Sequence, residues 1–198
     1  IENNGIITVE NSGSLVQTAA ADNNSGTGTY NVTREITAVN HLRFNFWSSP
    51  VSAAQIENVF ASSVATDRYW YDASVTANDG YVNQQTGTMV TGRGYAITPA
   101  TQTPASTSNF TDTRTFTADL SASESINNST ISYQIAAVDQ QDFILLGNPY
   151  PSTIDFDAFY QDHTSLIEGV VYFWDASPAN FSGGYATWSA AGGNPVTN

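Results

Sequence analysis

The chain has no cysteine and no lysine, a single methionine and only two histidines in 198 residues. Without cysteine there is no disulfide framework, no thiolate metal site and no cysteine nucleophile. All five basic residues are arginines (Arg34, Arg43, Arg68, Arg93 and Arg114), set against eighteen acids for a net charge of −13. That balance argues against nucleic acid and anionic lipid as partners, because binding to either rests on neutralising phosphates. No apolar run approaches the roughly 18 residues of a membrane span, so membrane insertion is not expected. His41 and His163 lie far apart and in no metal-ligand spacing, which disfavours zinc. The Ser48-Ser49-Pro50 string lacks the Gly-x-Ser-x-Gly elbow of hydrolases.

What the chain does contain is one motif written twice. The first copy reads Trp47-Ser48-Ser49-Pro50-Val51-Ser52, then Phe60, Tyr69-Trp70-Tyr71-Asp72-Ala73-Ser74, Asn78, Gly80-Tyr81 and Gly92-Arg93-Gly94-Tyr95-Ala96-Ile97. The second reads Leu146-Gly147-Asn148-Pro149-Tyr150-Pro151-Ser152, then Phe159, Tyr172-Phe173-Trp174-Asp175-Ala176-Ser177, Asn180 and Gly184-Tyr185. A repeat of this size describes an architecture more than a chemistry. The repeat is placed at residues 41–97 and 142–198, joined by a Thr/Pro/Ser-rich connection near 98–109, within one compact domain over 1–198. The second copy lacks its own Gly-x-Gly-aromatic segment. It is expected either to be trimmed from a longer parent or to leave a strand edge open to a neighbour.

With 40% apolar residues the chain can bury a full core. Short β-branched and aromatic runs between polar turns predict an all-β fold, sandwich-like, with two related halves. Gly5 to Glu10 followed by Ser14 to Gln17 resembles one rung of a parallel β-solenoid, and fits an edge hairpin equally well. Tyr30 to Ile36 is a strand with Tyr30, Val32, Arg34 and Ile36 on one side. Strands are also expected at 41–46, 68–71, from Tyr81, at 95–97, 110–120, 130–138 and 143–146. Apolar spacing after each corner proline, over 53–61 and 154–159, predicts a short helix in each half.

Chemistry centres on the aromatic strands and the Asp-opened loops behind them. Asp72, Asn78 and Asp79 in the first loop, and Asp175 and Asn180 in the second, offer oxygens to Ca²⁺. Such residues also serve hairpin turns on their own. Tyr150, Trp174, Tyr185 and Trp188 are the candidate ligand-binding aromatics, with Tyr185 and Trp188 placed in a Gly- and Ala-rich tail where exposure is expected. The prolines after Asn148 and Tyr150 force both into extended conformation, so the chain turns a corner there. Paired carboxylates for a glycosidase would have to come from acids such as Asp139, Asp142 and Glu168. Sequons at Asn31, Asn109, Asn128 and Asn180 are those that an Asn/Ser/Thr-rich chain produces by chance.

The strings Phe46 to Val51, Gly92 to Tyr95, Leu146 to Ser152, Ile154-Asp155-x-Asp157-Ala158-Phe159 and Gly169 to Trp174 resemble a domain common in large secreted proteins of the Bacteroidota. That domain is found upstream of type IX secretion sorting tails, often near β-solenoid or adhesin repeats. The resemblance implies a secreted or cell-surface location and a mostly β fold, and no catalytic residue is carried over from it. The chain begins at Ile1 with no signal peptide, as expected of a mature fragment. The expected role is a non-catalytic extracellular module for adhesion or for binding a polysaccharide or cell-surface glycan. The alternatives are a self-associating subunit of a filament or stalk joined through strand edges, and a carbohydrate-active enzyme.

Overall fold

The computed structural model describes residues 1–38, 43–99, 110–135, 143–175 and 184–190. The fold is all-β, and the described residues form nine strands and two short helices in the order β1 (Ile6–Val9), β2 (Thr29–Ala38), β3 (Asn45–Trp47), α1 (Ile56–Val59), β4 (Arg68–Tyr71), β5 (Tyr81–Asn83), β6 (Tyr95–Ile97), β7 (Phe110–Asp119), α2 (Phe156–Asp162), β8 (Val170–Asp175) and β9 (Gly184–Ser189). They form three sheets, β1-β2-β7, β3-β6-β4-β5 and β8-β9.

In the first sheet β1 runs parallel to β2, with Ile6 beside Thr29 and Val9 beside Val32. An isolated parallel bridge from Glu2 to Ser25 keeps the same step of sequence. One coil of chain is thus laid parallel on the next, while residues 14–17 contribute no strand to it and form no hairpin with β1. β2 pairs antiparallel with β7 over its full length. The alternation written in residues 30–36 puts Tyr30 and Val32 in the core with Phe116 and Ala118 of β7. Further along β7 the same face carries a buried ion pair, Arg114 Nη2 to Asp112 Oδ1 at 2.8 Å.

Phe60, completely buried, ties this sheet to the second. Its ring meets Trp47 of β3 at 5.5 Å and Phe116 of β7 at 6.2 Å, both edge to face. The Arg114 guanidinium lies 5.0 Å from the same ring. Arg68 of β4, also buried, fixes the end of α1 by donating to the Phe60 carbonyl oxygen at 2.7 Å, and it donates to the Gln85 carbonyl oxygen at 2.6 Å. Carbonyls freed at a helix C-terminus are thereby satisfied by a cation.

The second and third sheets face one another through aromatic side chains. Trp174 of β8 stacks on Phe46 of β3 at 6.2 Å, and its Nε1 donates to the Phe44 carbonyl oxygen at 2.9 Å. The opposite face of β8-β9 is covered by α2, where Phe156 touches Phe173 at 6.2 Å and Trp188 at 4.9 Å. Matched positions of the repeat show matched geometry. Phe44 meets Tyr69 at 5.8 Å and 74°, while Phe143 meets Tyr172 at 5.7 Å and 74°.

The glycines of both copies bring the two motifs into contact. Gly94 N–H donates to the Leu145 carbonyl at 3.1 Å, and Gly147 N–H to the Gly92 carbonyl at 3.0 Å. A Cβ at Gly147 would fall on the Ser48 side chain and within 2.8 Å of the Arg93 carbonyl oxygen, so the close approach requires glycine.

Three strand expectations are corrected. Residues 14–17 form no strand; Leu15 crosses over the surface and donates its N–H to the Pro151 carbonyl at 3.1 Å. Residues 130–135 form none either, because Tyr133 is drawn against Gly92 and accepts at its hydroxyl from Arg93 Nε at 3.3 Å. The part of that stretch at 136–138 lies outside the described residues, as does the connection at 100–109. Residues 143–146 contribute one bridge, Leu146 to Arg93, in place of a strand.

Candidate functional site

A groove of about 400 Å³ lies where the strap 15–20 passes over the turn at 127–130 and the corner at 150–154. The corner is built by its own sequence. The Asn148 carboxamide accepts from Tyr150 N–H at 2.9 Å and donates to the Ser152 carbonyl at 2.6 Å, closing a turn around the two prolines. The Tyr150 hydroxyl then donates to the Ser129 carbonyl at 2.9 Å. Asn127 fastens the neighbouring turn, its Nδ2 donating to the carbonyls of Ser49 at 3.1 Å and Pro149 at 2.9 Å. The strap is held by Gln17, whose Nε2 donates to Asn24 Oδ1 at 2.8 Å. That oxygen also accepts from the Tyr30 hydroxyl at 3.2 Å. Burial, and secondarily the Asp22 charge, push the Tyr30 phenol above its ordinary pKa.

Asn128 sits in this lining with 6% of its surface exposed. Neither its Oδ1 nor its Nδ2 has a hydrogen-bond partner among the described residues. A buried carboxamide left in this state has lost its hydration and gained nothing in return, which costs about 1–3 kcal/mol until water or a ligand completes it. The rest of the lining is hydroxyl, amide and aliphatic, and no aspartate, glutamate, lysine, arginine or histidine belongs to it.

The candidate residues from sequence do not converge. Tyr150 lines the groove. Trp174 and Tyr185 belong to the aromatic layer between the second and third sheets, their rings 5.1 Å apart and edge to face. The expected exposure of Trp188 is corrected: it is wedged between Phe156 and Tyr160 of α2, at 4.9 and 5.6 Å, where it fastens helix to hairpin. Tyr185 is exposed as expected, at 44%.

Asp72 serves its own loop. One carboxylate oxygen accepts from Ser74 N–H at 3.0 Å and from the Ser74 hydroxyl at 2.6 Å. Those bonds hold its pKa below the ordinary carboxylate value. Asn78 and Asp79 take left-handed backbone conformations, φ 50° and 52°, in the turn before β5, a role Asn and Asp fill readily. Asp175 ends β8 opposite Gly184, and Asn180 lies outside the described residues. Among the described residues no three His, Asp or Glu side chains come close enough together to hold a metal ion.

Sequence reasoning missed Asn128 and the strap. In the sequence Asn128 is one residue of a polar turn and of a chance sequon, and nothing there marks it as buried. The groove joins three segments far apart in the chain, so no local spacing announces it.

The molecule is thus an all-β domain with an uncharged polar groove, and no helix among its described residues is long and apolar enough to cross a membrane. Residues 1–190 match the model of a domain of unknown function, DUF8693, and the chain belongs to that family. No curated protein and no solved structure matches it.

Proposed function

We propose that this domain is a non-catalytic module of a secreted or cell-surface protein, of the Bacteroidota type its motifs resemble, and that it binds a neutral glycan in the groove beside Tyr150. The observation that carries the reading is the buried, unpartnered carboxamide of Asn128 in a lining without one charged side chain, on a protein of net charge −13. A charged ligand would want a countercharge there. A sugar instead offers hydroxyls that both donate and accept, and a carboxamide, a tyrosine and several Ser/Thr hydroxyls answer them. The groove has the volume of a small-molecule site. It contains no carboxylate pair, which a glycosidase would need at about 5 to 10 Å, and this favours binding over hydrolysis.

The test is binding of neutral plant, algal and microbial polysaccharides by glycan array and calorimetry, with Thr130→Trp to fill the groove and Asn128→Leu to remove the unpaired amide. Saturable binding that weakens at least tenfold in both variants supports the reading. A domain that ignores all neutral glycans, or that binds them equally with Thr130→Trp, overturns it.

A further inference from the structure

In the second sheet β4 is paired on both edges. Antiparallel pairing hands alternate residues to opposite edges. Arg68 and Asp72 bond toward β5, through Gln84 N–H to the Arg68 carbonyl and Asp72 N–H to the Gly80 carbonyl, both at 2.8 Å. Tyr69, between them, faces β6, where it lies opposite Ala96. On its far side Ala96 lies opposite Phe46 of β3. The small alanine side chain leaves room for Phe44 and Tyr69 to meet across β6 at 5.8 Å.

β8 is the counterpart of β4 by sequence, Tyr172-Phe173-Trp174-Asp175 answering Tyr69-Trp70-Tyr71-Asp72. Among the described residues it is paired on one edge only. Ala190 N–H donates to the Gly169 carbonyl at 2.9 Å, and the alternation from there assigns Val171 and Phe173 to β9. Val170, Tyr172 and Trp174 therefore turn their main-chain groups to the outer edge, where no strand pairs among the described residues. The other wall is also in place. Leu145 and Gly147 bond to Gly94 and Gly92, so Ile144 and Leu146 present their main-chain groups on the opposite side. Phe143 meets Tyr172 across this position at 5.7 Å, the separation that brackets β6 in the first copy. The side chains around it are apolar and open to solvent: Phe143 is 66% exposed, Phe173 50%, Tyr172 49% and Val170 40%. In the filled position Tyr95 and Ile97 are wholly buried.

We propose that the outer edge of β8 is a docking site for one extended strand of the β6 kind, antiparallel to β8, with the order glycine-x-glycine, aromatic, small, aliphatic. The small residue must sit opposite Tyr172, because the Phe143 and Tyr172 rings already meet there and a larger side chain would part them. The aromatic residue before it falls on the other face and covers Phe173, as Tyr95 lies opposite Trp70 in the first copy. Strand addition draws affinity from the main chain and selectivity from alternate side chains. An unpaired edge with apolar flanks and no lysine is open to it.

The probe is the peptide Gly-Arg-Gly-Tyr-Ala-Ile-Thr-Pro, the sequence of residues 92–99, added to the whole chain. Hydrogen exchange at the Tyr172 amide is followed by NMR, and a second peptide carries tryptophan in place of its alanine. Saturable binding that slows Tyr172 exchange at least tenfold, leaves Val171 unchanged and fails with the tryptophan peptide is the expected result. No slowing, equal slowing by the tryptophan peptide, or Tyr172 protection that appears on concentrating the protein alone, through pairing with a second copy, would overturn the proposal. Glycan binding plays no part in the readout, so its failure leaves the groove untouched.

Discussion

Phe143 and Tyr172 stand edge to face at 5.7 Å and 74°, reproducing within 0.1 Å the contact of Phe44 with Tyr69. The first pair closes over a strand and the second over an edge that no strand among the described residues pairs. The motif shared by the two copies therefore marks scaffold, and the copies differ in what fills the position between the rings.

The difference extends to their cores. Phe60 is fully buried between Trp47, Phe116 and Arg114, whereas its counterpart Phe159 is half-buried, against Phe156 and His163. Phe60→Ala should cost about 3–5 kcal/mol, by lost burial and the cavity left behind. Phe159→Ala should cost about half as much or less, since its site is open and can collapse. Urea denaturation of both variants checks the ranking, and equal losses would contradict it.

Gly147→Ala tests whether the copies depend on their mutual contact. The new methyl would meet the Ser48 side chain and the Arg93 carbonyl, so a loss of about 1–3 kcal/mol is expected. Gly87→Ala is not an equivalent control despite its open surroundings, because Gly87 has φ 101°; Gly5, with nothing within 4 Å of the added carbon, is. Thermal melts should show Gly147→Ala well below Gly5→Ala.

Asp72 titrates low because the Ser74 hydroxyl and then the Ser74 N–H bond its ionised form. The sign follows from linkage: a carboxyl with a depressed folded pKa adds stability above its ordinary value of 3.8, and that contribution is lost as pH falls through the lower, folded value. Ser74→Ala removes the larger of the two causes, so the Asp72 pKa should rise toward 3.8 in a carboxyl NMR titration. An unmoved titration would show that the hydroxyl bond does not hold in solution.

Tyr95 provides the alkaline counterpart. Burial is the main reason its phenol is raised above 10.0, and its oxygen accepts from Val90 N–H at 2.7 Å. Its contribution is full below pH 10.0 and is lost as pH rises from there through the raised value. Tyr95→Phe should melt lower at neutral pH, having left Val90 N–H unpaired, and lose less between pH 9 and 11 than the unmodified chain.

How much of this was legible depends on how local the cause is. The period-2 pattern of residues 30–36, the aromatic strands and the short helix after each corner proline are local, and all are present. The strand expected at 130–135 alternates as a strand should, but the pull of Gly92 and Arg93 on Tyr133 is a contact across the fold, and it wins over propensity. Trp188 reads as a tail residue because its neighbours are glycine and alanine, and α2 closes over it all the same. The groove rests on segments near 17, 128 and 152, which only folding brings together. Tyr150 is legible because it is an aromatic following Pro149, where the other copy has Val51 after Pro50. Asn128 resembles many other asparagines in this chain until its burial is known.

The central claim, a strand position filled beside β4 and, among the described residues, open beside β8, is tested most directly by amide hydrogen exchange in the free, dilute chain. Tyr69, whose main chain faces β6, should be strongly protected, while Tyr172 at the matched position should exchange at the rate of an unpaired amide, with Val171 and Phe173 on either side protected by β9. Equal protection of Tyr69 and Tyr172 would contradict it.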